Sequence, residues 1–158
     1  MKNLLTLLTV SILLSNCVPQ KLNSPPPEVA AQSDAKQVEI SKEPRVERGT
    51  VTEVMVEKVY AQRVSDQALL IDTRPPLFYN LGHIDGAISI PLKSFDKSFA
   101  AKKSEVDAAV SAGKVLVIYC ANEVCVDSHR MSEKLATMGY DVSVFKGGWE
   151  LWKQTGLE

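Results

Sequence analysis

Cys120 stands directly after Val115–Tyr119, an unbroken apolar run rich in β-branched side chains. Such a run is the signature of a buried parallel strand. A polar loop follows, and then Met131, Leu135 and Met138 recur at helical spacing up to Gly139, a residue type suited to ending a helix. A cysteine between a strand's carboxyl end and a helix is placed to act as a nucleophile. Loop amides and the unpaired N–H groups of the helix's first turn can face an anion there, and the helix dipole favours negative charge. These surroundings lower a thiol pKa from about 8.5 to roughly 3.5–7.5. The candidate substrate-binding loop is Ala121, Asn122, Glu123, Val124, Val126, Asp127 and Ser128, with His129 a candidate at its end for binding an anion or tuning Cys120. The competing reading of Cys120 is a small buried residue without chemistry.

Cys125 shares this loop, giving the spacing C-x4-C. A disulfide closing so short a ring contributes only about 2 kcal/mol by chain entropy. The pair therefore suits redox chemistry better than stapling. Cys125 can resolve a Cys120 persulfide or sulfenic acid, or protect the nucleophile by reversible oxidation. A small apolar residue tucked under the loop is the plainer alternative.

The elements that must position these residues alternate along the chain. A short strand and a helix around residues 56–62 come first, then a buried strand at Ala68–Asp72 stopped by Arg74-Pro75-Pro76. Pro75 or Pro76 can open a helix, where a missing N–H goes unnoticed, and Leu77, Phe78 and Tyr79 carry it to Gly82. A brief strand at residues 87–90 closes at Pro91, and residues 95–110 form a helix before Gly113. After the cysteine loop and its helix, Val142–Phe145 is a strand and Gly148–Thr155 a last helix, whose Trp149 and Trp152 read as core packing. Alternating strands and helices predict an α/β fold with a parallel sheet. Ligands of such sheets bind outside the strands' carboxyl ends, where Cys120 lies.

Composition adds limits. The chain has 158 residues, 45% hydrophobic and 23% charged, with a net charge of −1. Nothing here suits a nucleic-acid partner. Lys2 precedes an eleven-residue apolar run (4–14) that is too short to span a bilayer but fits a signal-peptide core. It ends in Leu14-Ser15-Asn16-Cys17, which resembles the lipobox of bacterial lipoproteins. That resemblance implies a signal peptide over residues 1–16, cleavage before Cys17 and acylation of Cys17, enough to anchor the chain to a membrane. Val18 is not the aspartate that often retains lipoproteins at the inner membrane, so the outer membrane, facing the periplasm, is favoured. Residues 17–48 contain Pro25-Pro26-Pro27 and otherwise polar, mixed-charge sequence without aromatics, a flexible tether. The folded domain is residues 49–158. In an oxidising compartment, Cys120 and Cys125 would then be the two remaining thiols.

Asp72-Thr73-Arg74, followed by Gly82-His83-Ile84-Asp85-Gly86-Ala87 and Ile90-Pro91, resembles the first signature of rhodanese domains. Tyr119-Cys120, Gly139-Tyr140, Gly147-Gly148-Trp149 and Trp152 resemble the second half. The resemblance implies a single rhodanese-like domain, a mainly parallel five-stranded sheet with helices on both faces. It also implies a sulfurtransferase: Cys120 takes the outer sulfur of a donor anion such as thiosulfate, becomes a persulfide, and passes the sulfur to cyanide or a thiol. No cofactor or metal is implied. His83 would hold loops together, and Asp72, Arg74, Gly82 and Gly86 would build the first motif. The loop departs from the commonest family pattern, with no Arg or Gly between Cys120 and His129 and a length about two residues greater, which weakens the case for thiosulfate. Val126 stands where a phosphatase of the dual-specificity kind requires the arginine of C-x5-R. Two rivals stay open: a thiol–disulfide protein using the Cys120/Cys125 pair, and a non-catalytic binding module on the same scaffold. The sequence names no protein partner.

Overall fold

Apolar runs become strands, amphipathic stretches become helices, and the two alternate throughout the folded part. The structure, a computed structural model, describes residues 47–157. The signal peptide, Cys17 and nearly all of the tether expected from the sequence lie outside the described residues. In chain order the elements are β1 (Val51–Glu53), α1 (Val56–Val64), β2 (Ala68–Asp72), α2 (Pro76–Leu81), β3 (Ile88–Ser89), α3 (Phe95–Ser111), β4 (Val115–Tyr119), α4 (Asp127–Thr137), β5 (Val142–Phe145) and α5 (Gly148–Thr155). Among the described residues no helix is long and apolar enough to cross a membrane.

The strand order is β1-β5-β4-β2-β3, and all four pairings are parallel. The mainly parallel sheet expected from sequence is thus wholly parallel, since the first short strand, at Val51, also pairs with β5 in parallel register. β4 lies at the centre. Its register with β2 sets Asp72 opposite Tyr119, so the two strands end level with each other. Thr73 then donates both its amide N–H and its hydroxyl to the Tyr119 carbonyl, each at 3.0 Å. That stitch holds Arg74 and Cys120 side by side.

The alternation of side chains along each strand fills two cores, one per face. Val117 and Tyr119 of β4 pack with Leu70, Val59 of α1 and Trp152 of α5. Leu116 and Ile118 pack on the opposite face with Phe95, Phe99 and Val106 of α3 and Met131 and Leu135 of α4. Burying a large aliphatic side chain contributes about 1.5–3 kcal/mol, so these layers fix where the strand ends stand. Pro76 occupies the first turn of α2, as expected. Met138 differs from expectation: it follows α4 as its half-exposed cap instead of adding to the core stripe. The chain turns there, with Gly139 in a left-handed conformation at φ 93°.

Candidate active site

Cys120 caps the central strand, is only 3% exposed, and is joined to Cys125 in a disulfide with the Cα atoms 6.2 Å apart. The chain doubles back to make this bond, and Cys125 donates its amide to Asn122 O at 3.1 Å. The loop is clamped from the other side by the start of α5. Trp149 N–H donates to Cys120 O at 2.9 Å, and Glu150 N–H to Ala121 O at 2.8 Å. Those are orphan amides of a helix's first turn, so the clamp satisfies both partners. The approach depends on Gly148, which has φ 58° and where a Cβ would lie 2.4 Å from Cys120 O. Only glycine allows both.

The disulfide forms one wall of a cleft of about 460 Å³, with Arg74, Phe78, Leu81, Asp127 and Trp149 on the others. The two sulfurs and a carboxylate oxygen of Asp127 lie within 4.8 Å of one another. While the sulfurs are bonded to each other they are not free to ligate a metal ion. The Asp127 carboxylate is a close polar neighbour of the pair.

Beside it the first motif is tightly closed. Asp72 Oδ1 accepts from Arg74 N–H (2.9 Å) and Nε (3.0 Å), and Oδ2 from Nε (3.0 Å) and Nη2 (2.6 Å). Arg74 Nη2 also donates to Gly82 O at 2.7 Å. The guanidinium lies 5.3 Å from the Trp149 ring centre and 5.9 Å from that of Tyr119. Both charges are buried, as a fully hydrogen-bonded pair permits. The Tyr119 hydroxyl accepts from Ile84 N–H at 3.1 Å. Burial, and then the Asp72 charge, push the Tyr119 phenol far above its ordinary pKa.

The sequence-derived candidates divide sharply. Cys120, Cys125, Ala121 and Asp127 line the cleft. Asn122, Val124 and Val126 do not: the disulfide draws Cys125 back to Cys120, and Val124 and Val126 on either side of it stand 84% and 53% exposed. Glu123 faces a separate cleft with Glu53 and Lys146. Ser128 is buried in the first turn of α4, which begins at Asp127, and its carbonyl accepts the Ser132 hydroxyl at 2.8 Å. His129 points to solvent, its side chain 64% exposed and 4.0 Å from Glu133, away from the cleft. His83 is stacked on Tyr79 with ring centres 3.8 Å apart, and its Nδ1 lies 3.0 Å from Tyr79 O. Gly82 packs against Trp149, where a Cβ would meet the ring at 2.9 Å, and Gly86 takes φ 79° in its turn.

Trp149 and Trp152 both pack on the core as expected, but the half-buried Trp149, one turn earlier, also forms a wall of the cleft. Its position was a usable signal, since the first turn of a helix that starts at a strand's carboxyl end borders the ligand edge of the sheet. Phe78, Leu81, Glu150 and Lys153 also line the cleft unanticipated, because nothing in their spacing marks the side that faces Cys120.

Comparison with known proteins agrees with this architecture. A protein of Bacillus halodurans is 25% identical with a TM-score of 0.58, covering 68% of this chain and 74% of its own. A Lactobacillus plantarum protein is 23% identical (TM-score 0.54; 66% and 84% covered). A rhodanese-related protein from Thermoplasma volcanium is 20% identical (TM-score 0.51; 68% and 95% covered) and shares the fold. No curated protein matches the chain significantly. The family model for the rhodanese-like domain matches residues 55–155, most of the chain and all of the cleft, and the chain therefore belongs to the rhodanese-like family.

Proposed function

We propose that the chain is a sulfurtransferase that carries sulfane sulfur as a Cys120 persulfide. The observation that supports this most directly is Cys120 at the carboxyl end of the central strand, on the wall of a cleft. Two equivalents of a thiol first reduce the Cys120–Cys125 bond, leaving as their own disulfide. The Cys120 thiolate then attacks the outer sulfur of a donor, whose S–S bond breaks and whose leaving group departs with the electron pair. An acceptor, cyanide or a thiolate, takes the terminal sulfur of the persulfide and returns the Cys120 thiolate. No resident cofactor or metal enters this cycle. The small substrates are a sulfur-donor anion and a thiol, and Cys17, once acylated, would hold the domain at the bacterial outer membrane on the periplasmic side.

The disulfide itself favours a second reading, a thiol–disulfide redox protein that uses the same pair with Cys125 as the half-buried partner sulfur. Thiocyanate formation from thiosulfate and cyanide by residues 18–158 separates the two. Activity that needs prior reduction and disappears in Cys120→Ser but survives in Cys125→Ser supports sulfur transfer. A reduced protein that gains no sulfur from any donor, yet reoxidises and exchanges with partner thiols, supports redox exchange instead.

A further inference from the structure

The charges around Cys120 are poorly arranged for a small dianion. Arg74 lines the cleft, but its guanidinium is already engaged through Nε and Nη2 by the buried Asp72 carboxylate. Asp127 sets a carboxylate oxygen within 4.8 Å of both sulfurs, and Glu150 adds a second acid to the lining. Arg130 offsets Asp127 only from 4.0 Å away, on a side chain 68% exposed to solvent. Lys153 alone among the charged residues lining the cleft is a cation without an ion-pair partner among the described residues, and its ammonium sits 5.6 Å from the Trp149 ring centre. An incoming dianion therefore meets one carboxylate close to the sulfurs and a second, exposed one on the lining, with one free cation there, an arrangement that disfavours it at short range.

The remaining walls point to a different shape of donor. Pro75, Phe78, Leu81 and Trp149 line the cleft, and Phe78 and Leu81 are more than half exposed, which leaves apolar surface open beside the disulfide. About 460 Å³ is far more than a thiosulfate ion fills and lies in the range of small organic ligands. We propose that the sulfur donor for Cys120 is a singly charged organic persulfide or thiosulfonate with an apolar, preferably aromatic, body, in preference to thiosulfate. The body lies against Phe78 and Trp149, and Lys153, the exposed unpaired cation of the lining, favours the entry of a single negative charge. This rests on the sulfurtransferase reading above. With Cys120 reduced by a thiol, its thiolate attacks the outer sulfur of R–S–S⁻ or R–SO₂–S⁻. The new S–S bond forms at Cys120 while the old one breaks, and the leaving thiolate or sulfinate carries off the electron pair.

The test uses the full chain, reduced in detergent, with cyanide as acceptor and benzenethiosulfonate, methanethiosulfonate and thiosulfate as donors. Each kcat/KM is divided by the rate constant of the same donor with a free small thiol, which removes intrinsic reactivity. The expected order is benzene, then methane, then thiosulfate, with at least a tenfold span. Phe78→Ser should narrow the span by raising KM for the benzene donor, and Asp127→Asn with Glu150→Gln should narrow it by raising kcat/KM for thiosulfate. Thiosulfate used as well as or better than benzenethiosulfonate, or a span unmoved by both variants, overturns the donor assignment while leaving sulfur transfer intact. If no donor adds a sulfur atom to the mass of Cys120, sulfur transfer fails, and the donor assignment falls with it.

Discussion

The carboxyl ends of β2 and β4 stand next to each other and are built in opposite ways. At the end of β2, Asp72, Thr73 and Arg74 are buried, and the Asp72–Arg74 pair is closed by five hydrogen bonds, counting that from Arg74 to Gly82. At the end of β4, the loop from Cys120 is held by two amides of α5 and by a covalent bond that a thiol can open. One end is a fixed post and the other a part that can change its covalent state. Reactive groups need such a neighbour, because a loop that changes bonding can return to the same geometry only if its surroundings do not move.

The sharpest way to break this contrast is to remove the post. Asp72→Ala leaves the Arg74 guanidinium buried without a counter-charge, and breaking such a pair from one side costs about 3–5 kcal/mol. The urea midpoint should fall accordingly with an unchanged slope. Cys120→Ser, measured beside it in the reduced state, should change stability far less while abolishing sulfur transfer. A comparable stability loss in both variants would erase the distinction between the two strand ends.

The clamp between them comes next in size. Gly148→Ala combines a left-handed backbone with a Cβ 2.4 Å from Cys120 O. The expected loss is about 2–3 kcal/mol, together with a displaced Cys120 and a fall in activity. Gly86→Ala is the control: φ is 79° there but nothing lies within 4 Å of the added Cβ, so strain acts alone at about 1 kcal/mol. Equal losses for the two would mean that backbone strain, not the contact with the cysteine loop, sets the need for Gly148.

These two regions were also unequally legible in the sequence. The framework was readable because apolar runs such as Val115–Tyr119 and turn residues such as Pro75, Pro91 and Gly113 act locally, and their patterns survive folding. The level ends of β2 and β4 were not, since register depends on pairing between segments more than forty residues apart. In the cleft, Cys120 could be found from its place after a strand. The loop beyond it could not be resolved, because whether Asn122, Glu123 and Val124 face in or out depends on the closed disulfide. Trp149 and Trp152 look alike in sequence at i and i+3 and both pack on the core, yet the start of α5, held by Gly148 against Cys120 O, brings Trp149 alone of the two to the cleft beside Cys120.

A smaller effect tests the movable end. A disulfide spanning so few residues restricts the unfolded chain by about 2 kcal/mol in the chain-entropy picture. Thermal unfolding of the oxidised chain should lose about that much on reduction. Cys125→Ser should then match the reduced wild type and be insensitive to added thiol. A much larger loss on reduction would show that the bond also organises the domain, and the β4 end would no longer count as the separable part.

The least of these effects belongs to Tyr119, which joins the two strand ends through its carbonyl and lies close to Asp72. Its phenol is fully buried and its pKa is raised above the ordinary 10.0, first by desolvation and then by the Asp72 charge. In the unfolded chain the same group loses its proton near pH 10. Unfolding above that pH therefore releases a proton that the folded state retains. The stability Tyr119 contributes is complete below about pH 10 and declines above it, with a slope of about 1.4 kcal/mol per pH unit. Tyr79 and Tyr140 are shifted in the same direction and add to the fall. Tyr119→Phe should flatten the alkaline slope by one group's share. At neutral pH it should lower stability by about 1–2 kcal/mol, because Ile84 N–H loses its acceptor. Urea titrations at pH 8, 10 and 11 would measure both, the pH values chosen to bracket the phenol's ordinary range. An unchanged slope in Tyr119→Phe would mean that its hydroxyl already reaches water in the folded protein, so that the space between the post and the cysteine loop is open to solvent.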